Sequence, residues 1–212
     1  MTKQILRIGI LCVPVMDDEA VTTVFRAIQR TYAPAVLLLT ASALSQRNWL
    51  EEILQNWCDV EELDLVLTIG GTLPAPGPSA DEIVPEATSR VIERFLPGLA
   101  ETMRSHAQTE SRLALLERCV VGIRGRSLLV NLPAGAAPAL LFLEAILDLL
   151  PAVVAHLHSD PTAPQLLDEL IIEHEDDIAA ETASISSSPT LSSSPGLKAE
   201  EFAAFLQRNK KQ

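Results

Sequence analysis

Aromatic side chains are scarce in this chain, with five Phe, two Trp and one Tyr among 212 residues. Hydrophobic residues nevertheless make up 48%, so the expected core is one of Leu, Val, Ile and Ala, large enough to stand without further staples. Cysteine is rarer still. Cys12, Cys58 and Cys119 are odd in number and widely spaced, which argues against both a disulfide framework and a zinc knuckle. Cys12 and Cys58 sit in apolar surroundings and read as buried small hydrophobes. Basic residues are few: 16 Lys and Arg stand against 28 Asp and Glu, a formal net charge of −12. That field would repel a phosphate backbone, so nucleic acid is not an expected partner. An anionic small ligand is still admitted, because a local nest of backbone N–H groups can override the global sign. No apolar run is long enough to cross a membrane uninterrupted. The longest, residues 134–157, contains Pro138, Glu144, Asp148 and Pro151. Residues 1–7 lack the apolar core and cleavage site of a signal peptide. The expectation is a soluble, cytoplasmic protein without a membrane partner.

The patterning that is present alternates buried strand with amphipathic helix. Residues 5–13 read as a first strand, stopped by Pro14. Asp17 or Asp18 is placed to cap a helix over 19–30, with Val21, Val24, Phe25 and Ile28 on one stripe. Residues 35–39 form a second strand and 40–45 a connector. Ser45 then caps a helix over 46–58, whose apolar face is Trp49, Leu50, Ile53, Leu54 and Trp57. Residues 63–69 form the third strand. Strand–helix–strand–helix–strand predicts a parallel sheet with right-handed crossovers. Further along, Pro85 opens a helix expected to reach Phe95 or Leu96, and a helix resumes over 99–106. Runs at 113–121 and 127–132 form a strand pair around Gly122-Ile123-Arg124-Gly125-Arg126. A long helix covers 137–158, broken near Pro151. A domain over 1–159 is expected. The remainder, 160–212, is an acidic, Ser/Pro-rich tail, expected to be disordered from Asp176 to Gly196. Short helices are expected at 166–175 and at 197–211, the latter carrying Phe202, Phe205 and Leu206.

The third strand holds the most telling feature. Leu65-Val66-Leu67-Thr68-Ile69 is a strand of the kind buried on both faces, and it runs straight into Gly70-Gly71-Thr72. Glycines there allow close backbone approach by a ligand and positive φ. A loop and then the helix start Val84-Pro85-Glu86-Ala87-Thr88 follow. Loop N–H groups and a helix N-terminus both favour an anion, and ligands of open α/β sheets sit at the carboxyl ends of the strands.

These residues resemble the signature of the molybdopterin-binding MoaB/Mog family. That family carries a Thr-Gly-Gly-Thr-Gly loop after a buried strand, then an Arg-Asp-x-Thr-Pro-Glu-Ala-Thr helix start. Leu96-Pro97-Gly98-Leu99-Ala100-Glu101-Thr102-Met103-Arg104 is similar to the family's Met-Pro-Gly-x-x-Glu-x-Met-Arg segment. Gly122-Ile123-Arg124-Gly125-Arg126 and Val130-Asn131-Leu132-Pro133 are similar to its late strand pair and Asn-Leu-Pro loop. The resemblance implies a three-layer α/β/α domain with a mostly parallel sheet, often trimeric, that binds molybdopterin; some members transfer adenylyl from Mg-ATP. It implies Gly70, Gly71, Thr72, Pro85, Glu86, Asn131, Pro133 and Gly135 as ligand-binding residues. If the chain is active, it implies Asp81 and Glu82 as catalytic residues, with Glu82 on the metal.

Several positions depart from the pattern. Leu73 stands for the loop's last Gly, Asp81-Glu82 for Arg-Asp, and Val84 for Thr. Ala134-Gly135-Ala136-Ala137 replaces Gly-Ser-Pro-Lys and loses a base. An acidic residue that active members carry before the second helix falls at Ser45, or elsewhere in the uncharged run 40–45. Magnesium needs hard carboxylate ligands, and Asp17 is only a distant candidate. Binding needs donors and shape, whereas turnover needs groups that act more strongly in the transition state, so binding without transfer is coherent. The sequence therefore supports three readings: a divergent pterin-binding protein, an active molybdopterin adenylyltransferase, and a self-associating or partner-binding module. Asp64 is either a ligand contact or an exposed connector residue. Glu86 reads chiefly as a helix-start acid. Arg124 and Arg126 are either a phosphate clamp or a solvated turn. His156 and His158, two apart on a helix, make a poor metal pair.

Overall fold

A computed structural model describes residues 5–74 and 83–171. Six strands form one sheet: β1 (Leu6–Cys12), β2 (Ala35–Ser42), β3 (Leu65–Ile69), β4 (Arg94–Phe95), β5 (Val121–Arg124) and β6 (Ser127–Leu132). Their order is β2-β1-β3-β6-β5-β4. The first four in that order run parallel, and the β4 and β5 edge is antiparallel. Helices α1 (Asp18–Thr31), α4 (Pro97–Ala107), α5 (Ala136–Glu144) and α6 (Leu150–Leu157) cover one face; α2 (Arg47–Asp59) and α3 (Val84–Val91) cover the other. This is the expected three-layer α/β/α arrangement.

The two cores follow from the period of two along each strand. Leu65, Leu67 and Ile69 join Ile8, Ile10, Leu128 and Val130 against Val24, Ile28, Met103 and Phe142. Val66 and Leu129 face the opposite way, toward Leu50, Leu54, Trp57, Val84 and Val91. All five residues of β3 are buried, as a run without polar alternation requires. Few aromatics take part, so Leu, Ile and Val fill most of the interior. All three cysteines are buried and unpaired. Burial pushes the Cys58 thiol up to about 11 and, more strongly, the Cys119 thiol up to about 12. None is the exposed, acidified thiol that nucleophilic chemistry needs.

Local expectations hold where the determinant is local. Asp17 caps α1, its Oδ1 accepting from Ala20 N at 2.9 Å. The break between α5 and α6 leaves Pro151 in the first turn of α6, where its missing N–H costs nothing. The expectations fail where a distant partner decides. β2 runs on through Thr40 to Ser42 because those residues pair with Ile10, Leu11 and Cys12. Ser45 does not cap α2; Gln46 holds that position, without a side-chain cap. Trp49 is 56% exposed, since the stripe facing the sheet is Leu50, Leu54, Trp57 and Cys58, and Trp49 lies about 100° round the helix from Leu50. α3 ends at Val91, not near Phe95, because Glu93 and Leu96 donate to Ile123 O and Val121 O and draw the chain into β4. The run from 113 begins as a 3₁₀ turn, Arg112–Leu116, and only Val121–Arg124 is strand.

The described residues up to Leu170 belong to one compact unit. Residues 163–171 are helical. The rest of the expected 166–175 helix, the Ser/Pro-rich stretch and the 197–211 segment lie outside the described residues. No helix among the described residues is long and apolar enough to cross a membrane.

Candidate ligand site at the carboxyl edge of the sheet

The chain leaves β1 toward β2 on one side, then returns through α2 to β3 on the other. The carboxyl ends of β1 and β3 thus flank a topological switch point, the usual ligand crevice of open α/β sheets. Gly70 and Gly71 lie there, with φ of +97° and +68°. Their lack of Cβ is required by the protein itself. A Cβ on Gly70 would sit 2.2 Å from the Val13 carbonyl oxygen, and one on Gly71 would sit 2.6 Å from Val84 Cγ2. The glycines therefore let the β1 turn and α3 close around the loop, which alters the expectation that they serve chiefly to admit a ligand. Replacing Gly71 by Val would displace α3 before it blocked any ligand. The Gly70 N–H is also committed, donating to Leu132 O at 3.0 Å.

Thr72 is buried, and its hydroxyl donates to Glu117 Oε2 at 2.5 Å. Its carbonyl accepts from Arg118 N at 3.1 Å. The Arg118 guanidinium in turn pairs with Glu86 in the first turn of α3. Glu117 and Arg118 thus join the loop to the helix start; sequence reasoning passed over both. Their flanking run of exposed leucines, Leu113, Leu115 and Leu116, masked the one available signal, a charged pair immediately before a strand.

Burial raises the Glu117 pKa, and the Thr72 hydroxyl pulls it partly back. The fold therefore favours the protonated carboxyl. That contribution to stability is complete below the ordinary glutamate pKa and is lost as pH rises through the raised value. Glu117→Gln keeps an acceptor for Thr72 and removes the titration. Its thermal midpoint, relative to the native chain, is expected to be higher at pH 7 than at pH 4; equal differences at both pH values would contradict this.

Asn131 lies at the centre of the second wall. It is fully buried, and its Nδ2 donates to Thr68 Oγ1 at 2.8 Å and Thr88 Oγ1 at 2.9 Å. Its Oδ1 accepts from Val120 N at 3.3 Å. Its amide thus ties β6, β3, α3 and the approach to β5 together, acting on the crevice by position. Pro133 is buried beside it, and Gly135 starts α5 with φ of +91°. The Ala134 Cβ lies 3.7 Å from where a Gly70 Cβ would be, so this loop and the Gly70 loop are neighbours. Asp81 and Glu82 lie outside the described residues. Among the described residues no group of three or more His, Cys, Asp or Glu is placed to hold a metal. Asp17 is committed to its cap.

The remaining candidates belong to the opposite edge. Asp64 is 1% exposed and accepts from Arg7 N at 2.7 Å, Nε at 3.3 Å and a terminal guanidinium nitrogen at 3.1 Å. His158 Nε2 stands 3.0 Å from its Oδ1. Asp64 is therefore neither an exposed connector nor a ligand contact at the crevice; it is a buried tie at the amino ends of the strands. Arg124 holds Asp59 through two hydrogen bonds, at 2.9 and 2.5 Å, and donates to Val91 O. It clamps the end of α2 and is neither a phosphate clamp at the crevice nor a solvated turn. A cavity of about 650 Å³, bordered by Arg7, Glu62, Arg126 and His158, opens at this amino edge. It exceeds the cleft of about 490 Å³ that borders the carboxyl-edge residues Pro85, Glu86 and Arg118. Size alone does not decide between them: the switch point and the signature residues share the carboxyl edge.

Residues 46–153 match the family described as a probable molybdopterin binding domain. The chain belongs to this family. The matched stretch takes in the Gly70 loop, the α3 start, Glu117-Arg118 and the Asn131 loop. Over 109 residues the chain is 38% identical to the molybdopterin adenylyltransferase of Helicobacter pylori, covering 51% of this chain and 60% of that protein. It is 34% identical over 133 residues to the molybdopterin adenylyltransferase of Escherichia coli K12, covering 62% and 66% of the two chains. The match thus spans less than two thirds of these relatives. The crystal structure of the molybdopterin biosynthesis enzyme MoaB from Thermus thermophilus superposes with a TM-score of 0.61 at 35% identity, covering 74% of this chain and 98% of that one. Membership of the MoaB/Mog family, expected from four ordered motifs, is thereby shown.

Proposed function

We propose that this chain binds molybdopterin at the carboxyl-edge crevice and serves molybdenum cofactor biosynthesis without transferring adenylyl. The observation that carries the binding claim is the convergence of Gly70-Gly71-Thr72, Pro85-Glu86 and the Asn131-to-Gly135 loop at one switch point, joined by Glu117 and Arg118. The donor set fits the ligand. A pterin ring presents amino and ring N–H groups, which carboxylates accept, and Glu86 Oε2 is a buried oxygen without a hydrogen-bond partner. Of the proposed ligand residues, the loop and the α3 turn would touch the ligand, while Asn131, Pro133 and Gly135 hold the loops in place.

The claim against transfer rests on the start of α2. The acidic residue that the resemblance implies before the second helix falls at Ser45, or elsewhere in the uncharged run 40–45, and Arg47 opens α2 just after it. A guanidinium beside that position opposes a divalent cation. The second reading, an active molybdopterin adenylyltransferase with Asp81 and Glu82 catalytic and Glu82 on Mg²⁺, draws on the names that the relatives carry. Incubating the purified chain with molybdopterin and Mg-ATP separates the two. Bound molybdopterin without adenylylated product or pyrophosphate is expected. Product would establish the second reading, and absence of molybdopterin binding would overturn both. A cytoplasmic homotrimer completes the proposal, and a monomer mass by light scattering would remove the trimer from it.

A further inference from the structure

The cleft of about 490 Å³ lies between the start of α2, α3 and the segment before β5. Arg47, Arg90 and Arg118 line it, with Glu86 and Ser89. Three arginines thus border one cleft on a chain of net charge −12. Among the described residues, Glu86 pairs with Arg118, and Glu51 Oε1 is 3.6 Å from Arg90 Nε. No acidic residue occupies the first turn of α2 to offset Arg47. The cleft shares walls with the Gly70 loop. Val84, against which Gly71 packs, immediately precedes Pro85 and Glu86, and the Arg118 backbone donates to Thr72 O.

We infer that Arg47, Arg90 and Arg118 form a phosphate subsite of the crevice. This rests on the pterin-binding proposal above. A phosphate monoester carries about −1.5 to −2 charges near pH 7 and three strong acceptor oxygens. Guanidinium forks match those oxygens in bidentate geometry, and Ser89 adds a hydroxyl donor. Among the described residues that line the cleft, three guanidinium groups stand against one carboxylate, Glu86, an excess of positive charge that an incoming phosphate offsets. The phosphate has two sources, the phosphate of the pterin ligand and the polyphosphate of a nucleotide.

The test uses the full chain and titrates inorganic phosphate, ATP and molybdopterin at low ionic strength by calorimetry. Arg47 and Arg90 are exposed, so Arg47→Gln with Arg90→Gln should leave the melting curve unchanged. Arg26→Gln with Arg30→Gln, on exposed positions of α1, makes the same charge change elsewhere. The Arg47/Arg90 variant is expected to bind phosphate at least about tenfold more weakly, and the α1 variant to bind as the native chain does. A parallel loss for molybdopterin with ATP unchanged assigns the subsite to the pterin phosphate; the reverse assigns it to the nucleotide. Equal phosphate affinity in the Arg47/Arg90 variant and the native chain, equal losses in both variants, or no phosphate binding at all would overturn the subsite. Molybdopterin binding undiminished by the Arg47/Arg90 change, with ATP also undiminished, overturns the subsite and leaves the pterin proposal standing. Phosphate binding without any molybdopterin binding does the opposite.

Discussion

Gly70→Ala is expected to destabilise the fold by about 3 kcal/mol or more, near the upper range of single substitutions. Two terms add. A non-glycine residue at φ +97° carries a left-handed backbone penalty of roughly 1–2 kcal/mol. The new methyl would also sit 2.2 Å from the Val13 carbonyl oxygen. That oxygen belongs to backbone, and Val13 N itself donates to Ile69 O at 2.8 Å, so the turn cannot move without opening the β1–β3 end. At about 2–4 °C per kcal/mol for a chain of this size, the thermal midpoint should fall by roughly 6–12 °C. Gly98→Ala is the control. Its Cβ would meet nothing within 4 Å and its helix position favours alanine, so no loss is expected. If Gly70→Ala melts like the native chain, the crevice is not braced by this contact and the description of its wall is wrong.

Asp64→Ala should cost a similar amount, about 2–3 kcal/mol, because it strips the Arg7 N–H and guanidinium of a buried charged acceptor. Asp64 accepts from the Arg7 backbone and guanidinium, and the His158 ring nitrogen stands 3.0 Å from its Oδ1. Its removal leaves Arg7 N without its side-chain acceptor and loosens the end of α6 from the sheet. The site lies at the amino edge, so molybdopterin affinity at a temperature where the variant is folded should stay within about twofold, below the tenfold that 1.4 kcal/mol would bring. Affinity falling tenfold with Asp64→Ala would place the amino-edge cavity in the function. Asp64→Asn, which keeps an acceptor, should be milder.

The contrast between these two residues explains how far the sequence could be read. Gly70 announced itself because its neighbours in sequence, a buried strand and a second glycine, are also its neighbours in space. The same is true of Asp17, which caps the helix it precedes, and of the alternation that sends Leu65 and Val66 to opposite cores. Asp64 gave no such sign. Its partner Arg7 is 57 residues away, and only the adjacency of β1 and β3 brings them together. Glu117 was silent for the same reason, since its contact with Thr72 spans 45 residues. The early end of α3 depends on pairing with β5, which no local pattern of 84–96 encodes. The candidate crevice was thus legible as a loop and a helix start. Its second wall, and the arginines facing α3, emerged only from the fold.

Hydrogen–deuterium exchange on the full chain, with and without molybdopterin, tests the central claim most directly because it locates the ligand without any substitution. Binding at the carboxyl edge predicts slowed exchange at 70–74, 83–90 and 117–120, with 6–8, 62–64 and 125–128 unchanged. Protection confined to the amino-edge segments, or none anywhere at saturating molybdopterin, would contradict it.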